Sequence, residues 1–146
     1  MQRRNFLQAC LGITALLLLP LRALAAAWNK SAFESTTLDG ALQSLNVATL
    51  ESSSEIQISA PAYAENGAVV QVEITSRIAN TESIFILAEK NPTPLIAHFT
   101  FSNGAEPFVV TRIKMAETAD VVALVKASDR YYKASRKVEV SENGCN

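Results

Sequence analysis

The sequence predicts an all-β domain: an immunoglobulin-like antiparallel sandwich of about seven strands, preceded by a short helical segment. Three observations carry this. Apolar and polar residues alternate at period two over much of residues 56–140. Turn-forming clusters punctuate those runs at roughly even spacing. Helical spacing of apolar residues falls before residue 50.

The first 25 residues are set apart from that domain. Arg3-Arg4 open a basic stretch, Ile13 to Leu19 is apolar but for Thr14, and Ala23-Leu24-Ala25 supplies small residues at a cleavage position. This order is that of a twin-arginine signal peptide over 1–25, cleaved after Ala25 or, as a second choice, after Ala27. The apolar run is shorter than the ~20 residues a bilayer span needs. Export to the periplasm by the twin-arginine route is the expectation, with no membrane anchor.

Residues 26–50 form the helical segment. Leu38, Ala41, Leu42 and Leu45 share one helix face, and Thr37 or Thr36 is placed to cap its start. Residues 51–140 form the sandwich. Glu51 to Glu55 is a polar break, after which Ile56 and Ile58 alternate with polar neighbours until Pro61. Glu65-Asn66-Gly67 reads as a turn in which Asn and Gly accept positive φ. Val70, Val72 and Ile74 alternate with Gln71, Glu73 and Thr75, the pattern of a half-buried strand. Ser83 to Ala88 is nearly all apolar and predicts a central strand. Asn91-Pro92-Thr93-Pro94 is a loop, since proline is excluded from central strands. Strands follow at Ile96–Phe101, Phe108–Lys114, Val121–Lys126 and Tyr131–Val140, with Ser102-Asn103-Gly104 and Ser128-Asp129-Arg130 as turns.

Composition excludes several kinds of function. Loss of Arg3, Arg4 and Arg22 with the signal peptide leaves ten basic residues against 14 acidic ones, a net charge of −4. An acidic chain is a poor ligand for nucleic acid, whose binding is dominated by neutralising phosphates. The single histidine, His98, cannot supply the two that a blue-copper site requires, and it alternates with Ala97 and Phe99 as a structural strand residue would. No Cys/His cluster suits zinc and no Gly-rich loop suits phosphate. Neither a paired acid and base nor a nucleophile with its base stands out, so no enzyme and no cofactor is expected. Arg112-Ile113-Lys114 puts two basic residues on one face of a strand, as a solvated sheet face or a partner contact. Phe108 and the Tyr131-Tyr132 pair suit core or interface packing.

The C-terminus, residues 141–146, stands out. Of the two cysteines, Cys10 leaves with the signal peptide, so Cys145 is alone in an oxidising compartment and forms no internal disulfide. Ser141 to Asn146 contains nothing to pack, and such termini are normally mobile. Cys145 lies five positions beyond Val140, a reach of about 17 Å. Gly144 adds backbone freedom just before the thiol. A cysteine at the tip of a tail is chemically available, unlike the usual buried one.

Three internal stretches now matter: Ala60-Pro61-Ala62-Tyr63-Ala64-Glu65-Asn66-Gly67-Ala68, Lys90-Asn91-Pro92-Thr93-Pro94, and Thr111-Arg112-Ile113-Lys114-Met115-Ala116. With the paired-arginine leader and the near-terminal Gly-Cys, the chain resembles the SoxY sulfur carriers of the bacterial Sox pathway for thiosulfate oxidation. The resemblance covers nearly all of the chain after its leader. It implies an immunoglobulin-like sandwich that pairs with a SoxZ-like subunit, itself a sandwich, as a heterodimer. It further implies that Cys145 holds thiosulfate-derived sulfur covalently, with Gly144 as the glycine before it, while separate Sox enzymes load, oxidise and hydrolyse the cargo. The chain departs from that family's glycine-rich tail at Asn143 and Asn146, which make the arm wider and stiffer. Two other readings stand beside this one: a non-covalent periplasmic protein-binding module, and a divergent relative carrying another sulfur species.

Overall fold

The computed structural model describes residues 29–141; the leader expected over 1–25 and most of the expected carrier arm lie outside the described residues. Asn29 starts the first helix by accepting the Ala32 N–H on its side-chain oxygen, and α1 (Lys30–Glu34) follows. Thr37 does the same for α2 (Leu38–Ser44), its hydroxyl accepting from Gly40 N–H at 3.1 Å. The predicted helical segment is thus two short helices, and the chain is already extended by Leu50.

Nine strands follow: β1 (Leu50–Ser52), β2 (Ile56–Ser59), β3 (Tyr63–Ala64), β4 (Val70–Ser76), β5 (Thr81–Ala88), β6 (Leu95–Thr100), β7 (Phe108–Ile113), β8 (Ala119–Ala127) and β9 (Arg130–Val140). One sheet has the order β2-β4-β7. The other has the order β1-β9-β8-β5-β6, with β3 also beside β9. With β2, β4 and β7 in the places of strands A, B and E, and β9, β8, β5 and β6 in those of G, F, C and C′, this is an immunoglobulin-like sandwich.

Two corrections to the sequence expectation follow. Among the described residues the strands number nine rather than about seven, and the sandwich is not purely antiparallel. β1 and β3 pair with β9 in parallel, through Leu50↔Tyr131 and Tyr63↔Glu139 respectively. Both are two or three residues long, too short to display an alternation, and they cover what would otherwise be the open edge of β9.

The central strands β5 and β8 of the larger sheet are buried on both faces. Ile84, Ile86 and Ala88 of β5, with Val121, Ala123 and Val125 of β8, face Val70, Val72 and Ile74 across the sandwich. Phe85, Leu87 and Leu124 point the other way, onto Ala32, Ala41 and Leu45 of the helical layer. That is why the Ile84–Ala88 stretch reads as continuously apolar whereas β4 alternates. The β8–β9 hairpin closes on Ser128 and Asp129, both at positive φ (47° and 61°), as a two-residue type I′ turn requires.

Candidate functional site

The residues expected to carry chemistry, Asn143, Gly144, Cys145 and Asn146, lie outside the described residues. The described part of the site is the place from which they depart, the end of β9. Its last residues are gripped from two sides. Glu139 N–H donates to the Ala62 carbonyl at 2.9 Å, and Ser141 N–H donates to the Ala64 carbonyl at 3.0 Å. On the opposite side, Val140 N–H donates to Thr118 Oγ1 at 2.8 Å, and the same hydroxyl donates to the Val140 carbonyl at 3.3 Å.

The three stretches singled out in the sequence converge around this point. The turn after β3 is not built on positive φ, contrary to the sequence expectation. Instead the Asn66 side-chain oxygen accepts from Ala68 N–H at 2.9 Å, an Asx turn. Gly67 is needed for close approach: a Cβ there would lie 2.5 Å from the Met115 carbonyl oxygen and 2.7 Å from Val140 Cγ1. Met115 N–H donates to the Gly67 carbonyl at 2.7 Å. Asn91 in turn ties its loop to the same segment, donating to the Lys114 carbonyl at 2.7 Å and accepting from Ala116 N–H at 2.8 Å. Residues 60–68, 90–94 and 111–116 thus form one linked support at the end of the sandwich where β9 finishes. An open cleft of about 590 Å³ adjoins it, lined by Phe33, Asn91, Pro92, Leu95, Lys114 and Ala116 among others.

The other residues noted in the sequence serve elsewhere. His98 sits on β6 with its ring stacked on Phe85, centroids 4.2 Å apart, and Nε2 lies 3.2 Å from Ser83 Oγ. Burial of the ring lowers its pKa below the usual 6.5. Tyr131 packs in the helix-side core, where its hydroxyl donates to the Leu45 carbonyl at 3.0 Å, and burial raises its pKa. Tyr132 packs on the opposite face. Lys126 is shifted upward chiefly by its 2.8 Å hydrogen bond to Glu82. None of these three shifted groups belongs to the support at the end of β9. Arg112 and Lys114 flank buried Ile113 and are both exposed, as the alternation predicted. Phe108 is not in the core: it is 45% exposed, on the outer face of the smaller sheet. Among the described residues, no group of three His, Cys, Asp or Glu side chains is placed to hold a metal ion.

The three stretches stand out in the sequence, but their common purpose does not, and nothing there marks Thr118. A lone threonine in a polar run carries no signal of what it will face.

Comparison with known proteins bears on the family of the chain. A family model described as "Sulfur oxidation protein SoxY" matches residues 43–145. Among solved structures, the sulfur carrier protein SoxY from Chlorobium limicola f thiosulfatophilum is 34% identical over 70% of this chain and 94% of its own, with a TM-score of 0.64. A chain from a structure concerning T cell activation by the bacterial superantigen toxic shock syndrome toxin-1 is 15% identical, over 59% of this chain and 99% of its own, with a TM-score of 0.42. No curated protein matches the sequence.

Proposed function

The chain belongs to the SoxY family, and from that premise we propose that it is a non-catalytic periplasmic carrier holding thiosulfate-derived sulfur on Cys145. The observation that carries the proposal is the family match itself, which runs through the sandwich and ends on Cys145. The geometry at the end of β9 supports it. A carrier needs a fixed origin and a free end, and the grip on Glu139, Val140 and Ser141 supplies the origin. Asn143, Gly144 and Asn146 make up the arm around the thiol. A thiol at that position forms a covalent bond to sulfur that partner enzymes of the Sox pathway make, oxidise and hydrolyse. The chain itself supplies attachment and reach.

Export through the twin-arginine route fits the same reading, because that route moves folded proteins and one leader would serve a preassembled heterodimer with a SoxZ-like subunit. The test is the intact mass of protein taken from cells grown on thiosulfate. Adducts of sulfur, sulfonate or thiosulfonate mass are expected, removable by reductant and absent from Cys145→Ser. An unmodified mass under all growth conditions overturns the proposal. The same variant separates a carrier from a non-covalent binding module, which would keep its function without the thiol.

A further inference from the structure

Asparagine followed directly by glycine occurs three times in the chain, at Asn66-Gly67, Asn103-Gly104 and Asn143-Gly144. The pair carries a reaction of its own. Glycine has no side chain to shield its backbone nitrogen, and that nitrogen can attack the asparagine side-chain carbon to close a five-membered imide. In a folded protein the rate depends on how firmly the local backbone is held, and the two described pairs are held very differently.

Asn66-Gly67 is fixed from several sides. The Asn66 side-chain oxygen accepts from Ala68 N–H at 2.9 Å, and its carbonyl accepts from Val69 N–H at 3.3 Å. Gly67 is buried, and its carbonyl accepts from Met115 N–H at 2.7 Å. A ring closing there has to break these bonds in a space that Met115 and Val140 already fill. Asn103-Gly104 is the opposite case. Both residues are exposed, and both have positive φ, 55° and 75°. The turn around them is closed by one bond, from Ala105 N–H to the Ser102 carbonyl at 3.0 Å. Among the described residues neither the Asn103 side chain nor Gly104 N–H has a hydrogen-bond partner. Chain neighbours apart, no atom lies within 4 Å of where a Gly104 Cβ would stand. Two other exposed asparagines at positive φ, Asn46 and Asn80, precede Val47 and Thr81, whose β-branched side chains crowd the attacking nitrogen.

We propose that Asn103-Gly104 is a self-modification site, at which the folded chain converts Asn103 to aspartate and isoaspartate. The Gly104 nitrogen gives up its proton to base and attacks Asn103 Cγ. The new Cγ–N bond replaces Cγ–Nδ2, and the side-chain nitrogen takes up a proton and leaves as ammonia. Water, the only co-reactant, then opens the imide at one carbonyl or the other, so a carboxylate stands where the amide was. Opening at the backbone carbonyl yields isoaspartate, whose main chain is longer by a methylene group and no longer suits the bond between Ser102 and Ala105. The turn joins the end of β6 to the start of β7, whereas the start of β6 and the end of β7 lie at the support around the end of β9. The mark therefore accumulates with the age of the chain at the far end of the sandwich. It does so whether or not Cys145 carries sulfur.

The experiment is peptide mapping of the purified full chain after prolonged incubation at mildly alkaline pH. Cleavage after glutamate puts the three pairs on separate peptides, residues 66–73, 90–106 and 143–146, so conversion at the arm is not mistaken for conversion at the turn. Asn91 also falls on 90–106, but it precedes Pro92, whose nitrogen has no proton to lose. Conversion of 90–106 is expected to run about tenfold or more ahead of 66–73, the factor that one further hydrogen bond supplies. Isoaspartate should appear beside aspartate among the products. In urea, where both turns are lost, the two peptides should convert at similar rates. Asn103→Gln, which would have to close a six-membered ring, should halt the conversion in 90–106. Conversion of 66–73 as fast as 90–106 in the folded chain overturns the proposal. A 90–106 peptide that stays intact in the folded chain while converting in urea overturns it as well.

Discussion

Thr118 holds Val140 by both of its backbone groups, accepting its N–H at 2.8 Å and donating to its carbonyl at 3.3 Å through one hydroxyl. Thr118 precedes β8 and Val140 ends β9, so a residue from one strand's approach fixes the other strand's exit. Removing the hydroxyl with Thr118→Val is expected to cost about 1 kcal/mol. Hydrogen exchange at the Val140 amide should quicken about fivefold to tenfold, since 1.4 kcal/mol corresponds to a factor of ten. Thr118→Ser should restore protection. Unchanged exchange in Thr118→Val would show that β9 is held there by other means.

Gly67 and Gly104 are glycines for different reasons, and alanine distinguishes them. At Gly67 the new Cβ meets a backbone oxygen at 2.5 Å, so the turn or β9 has to move. Overpacking of this kind costs about 1–3 kcal/mol. Gly104 has open space around it but φ of +75°, for which the strain in alanine is about 1–2 kcal/mol. Both are expected to lower the urea midpoint, but only Gly67→Ala should perturb the amide resonances of Met115 and Val140.

Leu124 tests how far the helical layer belongs to the fold. It is fully buried, and its packing is with Phe85, Leu87 and residues of the N-terminal helices rather than with the opposing sheet. Leu124→Ala is expected to destabilise the whole domain by about 2–5 kcal/mol in one cooperative transition. Loss of the helices alone, with the sheets intact, would show that the layer is merely attached.

His98 sets a pH dependence whose sign is fixed by its surroundings. Burial against Phe85 disfavours the imidazolium, so the folded-state pKa lies below the 6.5 of the unfolded chain. Below pH 6.5 the unfolded chain binds the proton more tightly than the folded one. The contribution is therefore complete above pH 6.5 and is lost as the pH falls from there through the folded value. Denaturant unfolding should show stability declining over that window in the parent and flat in His98→Phe, before the carboxylates titrate at about 4. A parent flat over the same range would contradict the burial argument.

Most of the sandwich was legible because one-sided and two-sided burial leave different marks. β4 alternates since only one of its faces is covered; β5 does not, since helices cover the other. The Thr37 cap and the Ser128-Asp129 hairpin were legible from local chemistry alone. What stayed hidden depends on distant partners. Leu50–Ser52 and Tyr63–Ala64 become strands only because β9 lies alongside them. Gly67 was read as a turn residue, when the constraint on it comes from Met115 and Val140. Phe108 was read as core or interface packing, although it shares the parity of Arg112 and with it the outer face of β7. Around the arm, the three sequence stretches were recognisable as words before the contacts among them gave them a shared place.

The parallel pairing of β3 with β9 has a mechanical consequence. A tail seated in another protein transmits tension along the axis of β9 whenever the two bodies drift apart. β9 is bonded to β8 along one edge and to β1 and β3 along the other. Its hydrogen bonds lie across the direction of pull, so tension loads many of them together in shear. A terminal strand peeled from one side would instead surrender its bonds one after another. The strand from which the proposed carrier arm continues is thereby the one best placed to be tugged without unravelling.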